Sequence, residues 1–436
     1  MSIFIKIVRD IKSFLFGKKH FTFYFQTLTL VDSLLSLWFF LIELFGLKPA
    51  RKSRELLLDE VYKLFKFKKG FLFGSARSSL FSLLKTLNYD KGSEVLVTGF
   101  TCEVVPNAVI NAGYTPIYVD INPINYCMDP IIVEKLITEK TKVIIIQHTF
   151  GIPAEIEKLI DIAKKHNLYI IEDCAVSLGS KYKGKLTGTF GDASIFSFEL
   201  SKTITSCRGG MLLLNTNNDT IIKNMEEFYK NVPEQKRFQK LKTLFQLGIS
   251  GVLYRPGVYI LGKYIIALLF KLRIFSFSTT ITEEKAKLPL NYLLRLSDSQ
   301  ARIILRQYLR INILIEKKLI IKNYYLKILE NYLNKEFINI VSSNDVVLLR
   351  FPFLTKKRIQ LKSYFEHINV ELGFWFTAPL SSESIDHTLF CYKWGSCPEA
   401  EKISKMIVNL PICSIDNKAQ KRKFIKIVNT KYIVGF

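Results

Sequence analysis

The sequence predicts an α/β fold with a mostly parallel sheet covered by helices, and a smaller α+β domain towards the C-terminus. Between residues 70 and 215, short runs that are apolar throughout alternate with helical patterns, as in a sheet with helices on both faces. From about residue 283 the pattern changes to long helices, then to a strand near VVLLRFPFL and a helix near EAEKISKMI. The 436 residues are enough for one large core and one smaller core.

These patterns divide the chain into four regions. Residues 1–52 are an amphipathic and apolar N-terminal segment, and residues 53–240 are the large α/β domain. Residues 241–282 are an apolar insertion that is a possible membrane contact, and residues 283–436 comprise a helical connection and the small C-terminal domain. The apolar share of 49% is high for a soluble protein and close to that of membrane-associated proteins.

The N-terminal segment is predicted to associate with a membrane. Residues 1–19 interleave apolar and basic side chains in the manner of an amphipathic surface helix. Residues 21–42 approach the roughly 20 apolar residues that a span requires, although polar side chains interrupt them. No small-residue cleavage site follows, so a signal peptide is not expected. Three arrangements stay open: interfacial or re-entrant helices, a true span, or a buried arm that packs within a dimer.

A second apolar region covers residues 252–277. It carries Lys263, Lys271 and Arg273, which are too many charges for burial in hydrocarbon. These charges favour a helix at the lipid headgroup layer, where long basic side chains can reach water. The alternative is an ordinary pair of core helices.

The charge balance predicts anionic partners. Lys and Arg number 62 against 38 Asp and Glu, which gives a net charge of +24 and a field that attracts anionic lipid or phosphorylated substrates. Signatures of nucleic-acid binding are missing from the sequence, so no such partner is expected. The seven cysteines are scattered without CxxC spacing, which predicts reduced thiols and no metal site. The predicted location is the cytoplasm, peripheral or monotopic at the inner face of the membrane.

Three segments carry residues suited to cofactor chemistry. The strand IIEDC delivers Asp173 to the carboxyl edge of the sheet, where a carboxylate can keep a pyridine nitrogen protonated. In SIFSFELSK, Ser197 and Lys202 follow a strand ending at the same edge, and a desolvated lysine amine can form a Schiff base. In FGSARSSL, Ser75 and Ala76 precede a helix whose free N–H groups can bind phosphate.

Each segment alone has an ordinary explanation. Apolar strands that end in Asp also bind metals and riboses, and most lysines are solvated surface residues. Ser75 could do no more than cap its helix. The order and spacing of the three segments together carry more weight than any one of them.

Together these segments resemble the DegT/DnrJ/StrS family of sugar aminotransferases, which depend on pyridoxal 5'-phosphate (PLP) and belong to fold type I. The matching stretches include GSARSSL, TKVIIIQHTFGIP, LYIIEDCAVSLGSKYKGKLTGTFGDASIFSFELSK and RGGMLLLN. The resemblance implies a fold type I PLP-transferase that acts as a homodimer. It also implies transfer of an amino group from an amino acid such as glutamate to a nucleotide-linked or lipid-linked keto-sugar, in surface polysaccharide or glycolipid biosynthesis.

The resemblance also assigns roles to single residues. Lys202 would bind the cofactor covalently, Asp173 would face the pyridine nitrogen, and Ser197, Ser75 and Ala76 would contact the phosphate. Dehydratase relatives carry a histidine in place of this lysine, so transamination is favoured over dehydration. Possible contacts to substrate or to a partner subunit are Arg208, Arg295 and His148.

Some positions depart from the family pattern. Val176 replaces a Gln or His that faces the cofactor's ring hydroxyl, and Cys102 replaces an aromatic residue that stacks on the ring. Phe100 or Phe150 could supply the stacking instead, and Arg208 replaces a common acidic residue. These departures leave open a binding protein with this fold and no activity. A second alternative is a PLP-dependent acyltransferase of lipid synthesis at a membrane.

Overall fold

The computed structural model of the protein describes most of the chain, namely residues 10–11, 15, 20, 22–24, 27–47 and 52–412. The helix predicted over residues 1–19 lies almost entirely outside the described residues. Cys413 also lies outside the described residues.

A seven-stranded sheet lies at the centre of the described structure. Its strands are β1 (Lys69–Phe73), β2 (Glu94–Thr98), β3 (Thr115–Val119), β4 (Thr141–Gln147), β5 (Tyr169–Asp173), β8 (Ala193–Ser197) and β9 (Gly210–Leu214). A short hairpin of β6 (Lys181–Tyr182) and β7 (Lys185–Leu186) lies between β5 and β8 in the sequence. The spatial order is β1-β9-β8-β5-β4-β2-β3, and β9 runs antiparallel to both of its neighbours. The other strand pairs are parallel, as the sequence predicts.

Helices cover both faces of this sheet. Helix α1 (Leu30–Leu44) comes before them in the chain. The helices that follow it are α2 (Ser53–Phe65), α3 (Ala76–Leu87), α4 (Val104–Ala112), α5 (Pro130–Leu136), α6 (Ile156–Lys165) and α7 (Asp219–Lys230). In β4, Val143 and Ile145 pack with α3, α4 and α7, whereas Ile144 and Ile146 pack with α5 and α6. Because successive side chains point to opposite faces, a strand covered on both sides is apolar throughout.

The C-terminal part contains the helices and strands that the sequence predicts there. They are α11 (Asp298–Tyr308), α12 (Ile311–Leu329), α13 (Lys335–Ser342), β10 (Arg350–Leu354), α14 (Arg358–His367), α15 (Pro398–Ser404) and β11 (Ile407–Pro411). β10 and β11 form an antiparallel pair. Their core also includes Phe150 and Ile152 from the turn after β4, so the small domain packs directly against the carboxyl edge of the sheet.

The insertion forms three helices between the two domains: α8 (Arg237–Leu253), α9 (Tyr259–Lys271) and the short α10 (Ile281–Glu284). The predicted boundary between residues 240 and 241 therefore falls inside α8. Helix α1 packs along α8, where the Ser36 hydroxyl donates to the Leu244 carbonyl at 2.8 Å. The two helices approach closely at Gly251, where a Cβ would lie 2.1 Å from the Ser33 hydroxyl oxygen. Helix α1 and the insertion thus form one helical layer.

Helix length and apolar character can be checked directly in the part of the chain that is described. None of its helices is both long enough and apolar enough to cross a membrane.

Candidate active site

The carboxyl edge of the sheet opens into a cavity of about 1140 Å³. Residues that follow β1, β4, β5 and β8 line it, because parallel strands end at the same edge. The lining includes the cofactor residues that the sequence predicts, which are Ser75, Ala76, Asp173, Ser197 and Lys202. These cofactor residues therefore line the same cavity although Ser75 and Lys202 are 127 positions apart in the sequence.

Lys202 lies in the loop between β8 and β9. Burial lowers the pKa of its amine below the ordinary value for lysine; the negative charge of Glu199 opposes this effect and the positive charge of Arg350 adds to it. A lower pKa increases the fraction of neutral amine, which is the form that attacks a carbonyl carbon. The environment of Lys202 therefore suits Schiff-base chemistry.

Asp173 is the last residue of β5 and is buried. Burial raises the pKa of its carboxyl group, and the hydrogen bond from the Ala175 N–H (2.9 Å) and the charge of Lys202 act in the opposite direction. A carboxylate in such a dry position is stabilised by a cationic partner. The protonated nitrogen of a pyridine ring is a partner of that kind.

The turn before α3 meets the start of β9 at the wall of the same cavity. Ser75 caps α3, since its hydroxyl accepts a hydrogen bond from the Ser78 N–H at 3.2 Å. A Cβ at Gly210 would lie 2.3 Å from the Ala76 nitrogen and from the Ser75 carbonyl oxygen, so β9 can pass this turn only with glycine there. The helix N-terminus, together with the hydroxyl of Ser197, forms a cradle suited to a phosphate group. The residues present thus fit PLP.

The predicted departures at the ring face are visible in the cavity wall. Cys102 and Val176 both line the cavity. Burial raises the pKa of the Cys102 thiol to about 12, and the thiol lies 3.2 Å from a carboxylate oxygen of Glu103. Of the two aromatic substitutes, Phe100 is fully buried behind the wall, whereas Phe150 reaches it. Only Phe150 is therefore placed to contact a bound ring.

His148 is predicted as a possible substrate contact, and its surroundings do not support that role. The side chain is fully buried and lies behind the cavity wall. Its Nδ1 accepts a hydrogen bond from the Ala154 N–H at 3.1 Å, which places the proton on Nε2, 3.2 Å from Glu172. Glu172 also accepts three backbone N–H groups between residues 188 and 191. His148 therefore holds the turn after β4 in place.

The two arginines predicted as substrate or partner contacts have different positions. Arg208 lines the cavity, and its guanidinium donates to the Phe277 carbonyl. Arg295 lies outside the cavity wall, donates to the carbonyls of Tyr229 (2.6 Å) and Lys230 (3.0 Å), and stacks on the Tyr229 ring at 4.5 Å. The Arg295 guanidinium is thus largely occupied by contacts within its own chain, and a contact to a partner subunit stays a prediction.

The sequence patterns did not predict the contribution of the small domain to the cavity. Arg350, the first residue of β10, and Trp375 both line the cavity. The available signal was a charge inside the apolar run VVLLRFPFL, because an arginine in a buried strand is costly unless something pairs with it.

Comparisons with known proteins agree with this architecture. The profile of the DegT/DnrJ/EryC1/StrS aminotransferase family matches residues 59–429. The chain is 46% identical over 132 residues to the GDP-perosamine synthase of Escherichia coli O157:H7, a stretch that covers 30% of this chain and 36% of that protein.

Solved structures with the same fold are more distant in sequence. Helicobacter pylori PseC, an aminotransferase involved in the biosynthesis of pseudoaminic acid, superposes with a TM-score of 0.68 at 20% identity, covering 95% of this chain and 99% of that chain. NtdA from Bacillus subtilis, solved with bound cofactor PMP, gives 0.67 at 20% identity, covering 93% and 82%. At this identity the likeness shows the fold alone, and it confirms the predicted fold type I architecture.

Proposed function

The chain belongs to the DegT/DnrJ/EryC1/StrS aminotransferase family, and on this premise we propose that it transfers an amino group from an amino acid such as glutamate to a keto-sugar. The acceptor is nucleotide-linked or lipid-linked, and the product serves surface polysaccharide or glycolipid biosynthesis. PLP, the cofactor that family membership implies, supplies an electron sink when bound. The observation that carries the proposal is the arrangement of Lys202, Asp173 and the phosphate cradle around one cavity.

The residues of the chain have separate tasks in this reaction. Asp173 would keep the pyridine nitrogen of the bound cofactor protonated. Its carboxylate is buried with few other partners, so a cation beside it would be stabilising. The cradle at Ser75, Ala76 and Ser197 would bind the phosphate and so fix the position of the cofactor in the cavity. The Nζ atom of Lys202 removes the proton from the α carbon of the donor, a task that its lowered pKa supports.

Spectroscopy of the purified protein tests this function. The protein with PLP should show an absorbance band near the visible edge that borohydride abolishes, and reduction should attach the cofactor to Lys202. The Lys202→Ala variant should lack the band. Lys242→Ala is a matched control because Lys242 also lines the cavity but donates to the Arg273 carbonyl. Addition of glutamate should convert the band to that of the amine form of the cofactor.

The outcome also separates the alternatives. A protein that binds PLP but does not react with any amino donor would support the non-catalytic binding protein. A protein that releases coenzyme A from an acyl thioester would support the acyltransferase. Either result would contradict the aminotransferase proposal.

We further propose that the protein is a homodimer in which a second copy covers the mouth of the cavity. Support comes from large apolar side chains at this mouth. Phe277, Ile281 and Leu290 line the cavity and are mostly exposed, and Leu290 is fully exposed. Exposed apolar groups around a concave site are typical of surfaces that a partner buries.

We also propose that the protein binds the cytoplasmic face of a membrane through α1. Support comes from the inverted pattern of this helix. Its polar residues Asp32, Ser33 and Ser36 are buried, whereas a stripe at helical spacing is apolar and exposed, comprising Val31, Leu34, Trp38 and Leu41. A helix with this orientation in water would expose its apolar face and bury its polar one, the reverse of an ordinary surface helix.

Charge complementarity favours an anionic lipid surface as the occupant of this face. The net charge is +24, and Lys271 and Arg273 are exposed at the end of α9 beside exposed Leu268 and Leu272. Basic side chains next to apolar ones are typical of helices that lie in the headgroup layer. The membrane proposal would place the enzyme next to lipid-linked acceptors or the membrane enzymes that use its product.

A further inference from the structure

Arg350 has an unusual environment within the cavity. It is only 7% exposed, yet its side chain lines the cavity that contains Lys202. Its guanidinium carbon lies 3.2 Å from the centre of the Trp375 ring and 5.4 Å from that of Phe23. The aromatic rings hold the plane of the guanidinium but offer no anion.

The charge of Arg350 lacks a partner among the described residues. Its buried Nε makes no hydrogen bond, and no described carboxylate forms an ion pair with it. The two acidic residues whose charges act on it are engaged elsewhere. Glu371 accepts hydrogen bonds from the Thr22 hydroxyl and the Phe23 N–H, and Glu199 accepts two from Ser201.

The group nevertheless stays charged near neutral pH. Burial lowers the pKa of Arg350 to about 10, while the negative charges of Glu199 and Glu371 oppose the decrease. A buried cation without a partner is costly to the folded chain. Such an arrangement is expected where a ligand supplies the missing negative charge.

We propose that Arg350 binds the carboxylate attached to the reacting carbon of the amino donor and, after transfer, the same carboxylate of the 2-oxo acid product. This inference rests on the proposed function and specifies its donor subsite. A guanidinium presents two parallel N–H donors that match a carboxylate, and stacking on Trp375 fixes their orientation.

The location favours a carboxylate over the phosphates of a nucleotide-linked sugar. In an α-amino acid the carboxylate is bonded directly to the carbon that reacts, so its binding group must be close to Lys202. The charge of Arg350 acts on the Lys202 amine, which is consistent with that position. The phosphates of a sugar nucleotide lie on the far side of the sugar from a ring ketone, and their binding group would lie further out.

The test compares Arg350→Gln and Arg350→Lys with Arg358→Gln in the full-length protein loaded with PLP. Arg358 is a matched control because it also stacks on an aromatic ring of the small domain, Phe374 at 5.1 Å, but lies outside the cavity wall. Binding of 2-oxoglutarate is measured by calorimetry, which does not require turnover. Single-turnover rates are measured with L-glutamate and with its α-amide, isoglutamine. Binding of uridine diphosphate, also measured by calorimetry, tests the alternative that Arg350 binds the phosphates of a nucleotide-linked sugar.

We expect Arg350→Gln to weaken 2-oxoglutarate binding by about 100-fold and to reduce the preference for glutamate over its α-amide by a similar factor. Arg350→Lys should lose about 10-fold, because it keeps the charge but not the two-pronged geometry. Arg358→Gln should bind both ligands as the wild type does.

Three results would overturn the inference: unchanged 2-oxoglutarate binding in Arg350→Gln, an equal loss in Arg358→Gln, or a loss for uridine diphosphate alone. If Arg350→Gln does not fold, Arg350→Lys decides, and wild-type binding there would overturn the inference as well. Failure of the proposed function would look different, because the wild type itself would then lack the cofactor band or fail to react with any donor.

Discussion

At the scale of single residues, Gly210 shows how backbone contact shapes the phosphate cradle. Alanine at this position would place a Cβ 2.3 Å from backbone atoms of Ser75 and Ala76, which cannot rotate away as a side chain can. We expect Gly210→Ala to destabilise the fold by about 1–3 kcal/mol and to weaken PLP binding by displacing the turn. Urea unfolding and an absorbance titration with PLP measure the two effects.

The control for this substitution is Gly257→Ala. No atom lies within 4 Å of a Cβ built at Gly257, and its φ is not in the left-handed region. The control should change neither stability nor PLP affinity appreciably. Wild-type affinity in Gly210→Ala would contradict the role of this glycine in the cradle.

At the scale of elements, α1 is attached through its polar face. Asp32 is fully buried and pairs with Arg310 and Arg306, the latter at 3.4 Å. Because removing one partner leaves the other charges uncompensated, we expect Asp32→Asn to destabilise the protein by about 3 kcal/mol at pH 7. Glu43→Gln, in the same helix, removes a charge that lies 4.0 Å from Lys240 but keeps an oxygen that can accept the hydrogen bond from the Ser299 hydroxyl (3.2 Å). It should cost less than about 1 kcal/mol. Urea unfolding compares the two.

The same ion pair predicts a dependence on pH. Burial acts to raise the pKa of Asp32, but hydrogen bonds from Arg310 and Thr29 outweigh it, and the net pKa is lowered. A carboxyl group whose pKa is lowered by folding stabilises the fold at pH values above its pKa in the unfolded chain, about 3.9. That contribution is lost as the pH falls through the lower pKa of the folded protein. The stability difference between the wild type and Asp32→Asn should therefore be constant from pH 7 to about 5 and shrink below that. A difference that grows on acidification would contradict this assignment.

At the scale of the whole molecule, the exposed stripe of α1 and the net charge of +24 predict binding to anionic vesicles. The wild type should co-sediment with vesicles containing phosphatidylglycerol, and less so at high salt because surface charges are screened. The double variant Leu34→Glu, Trp38→Glu should lose this binding and keep the cofactor absorbance, since α1 lies outside the cavity wall. Ile131→Glu, a change at an equally exposed apolar residue of α5, is the control.

Measurement of molar mass by light scattering decides between lipid and a second copy at this face. We expect a dimer for both the wild type and the double variant, since the proposed dimer contact is at Phe277, Ile281 and Leu290. If the double variant becomes a monomer and the wild type does not bind vesicles, the face of α1 is a subunit interface and the membrane proposal is wrong.

Much of the fold was predictable because its signals are local. Strand β5 is apolar from Tyr169 to Ile171 because both of its sides are covered, and it ends in Glu172 and Asp173, where its carboxyl end meets the cavity. The family, the fold and the PLP cofactor are confirmed by the family assignment and the shared architecture. The predicted domain boundary at residue 240 fell inside α8, since the periodicity of a helix does not show which neighbours it packs against.

By itself, the sequence determined the family, the cofactor and the order of the residues proposed to bind it, because these depend on residue types at short, regular spacing. Only the tertiary structure decided that His148 is held behind the cavity wall, that α1 buries its polar side, and that Arg350 faces the same cavity as Lys202. These features depend on contacts between residues far apart in the chain. Arg350 and Lys202 are brought together by the docking of the small domain on the sheet edge, and no local pattern encodes that contact.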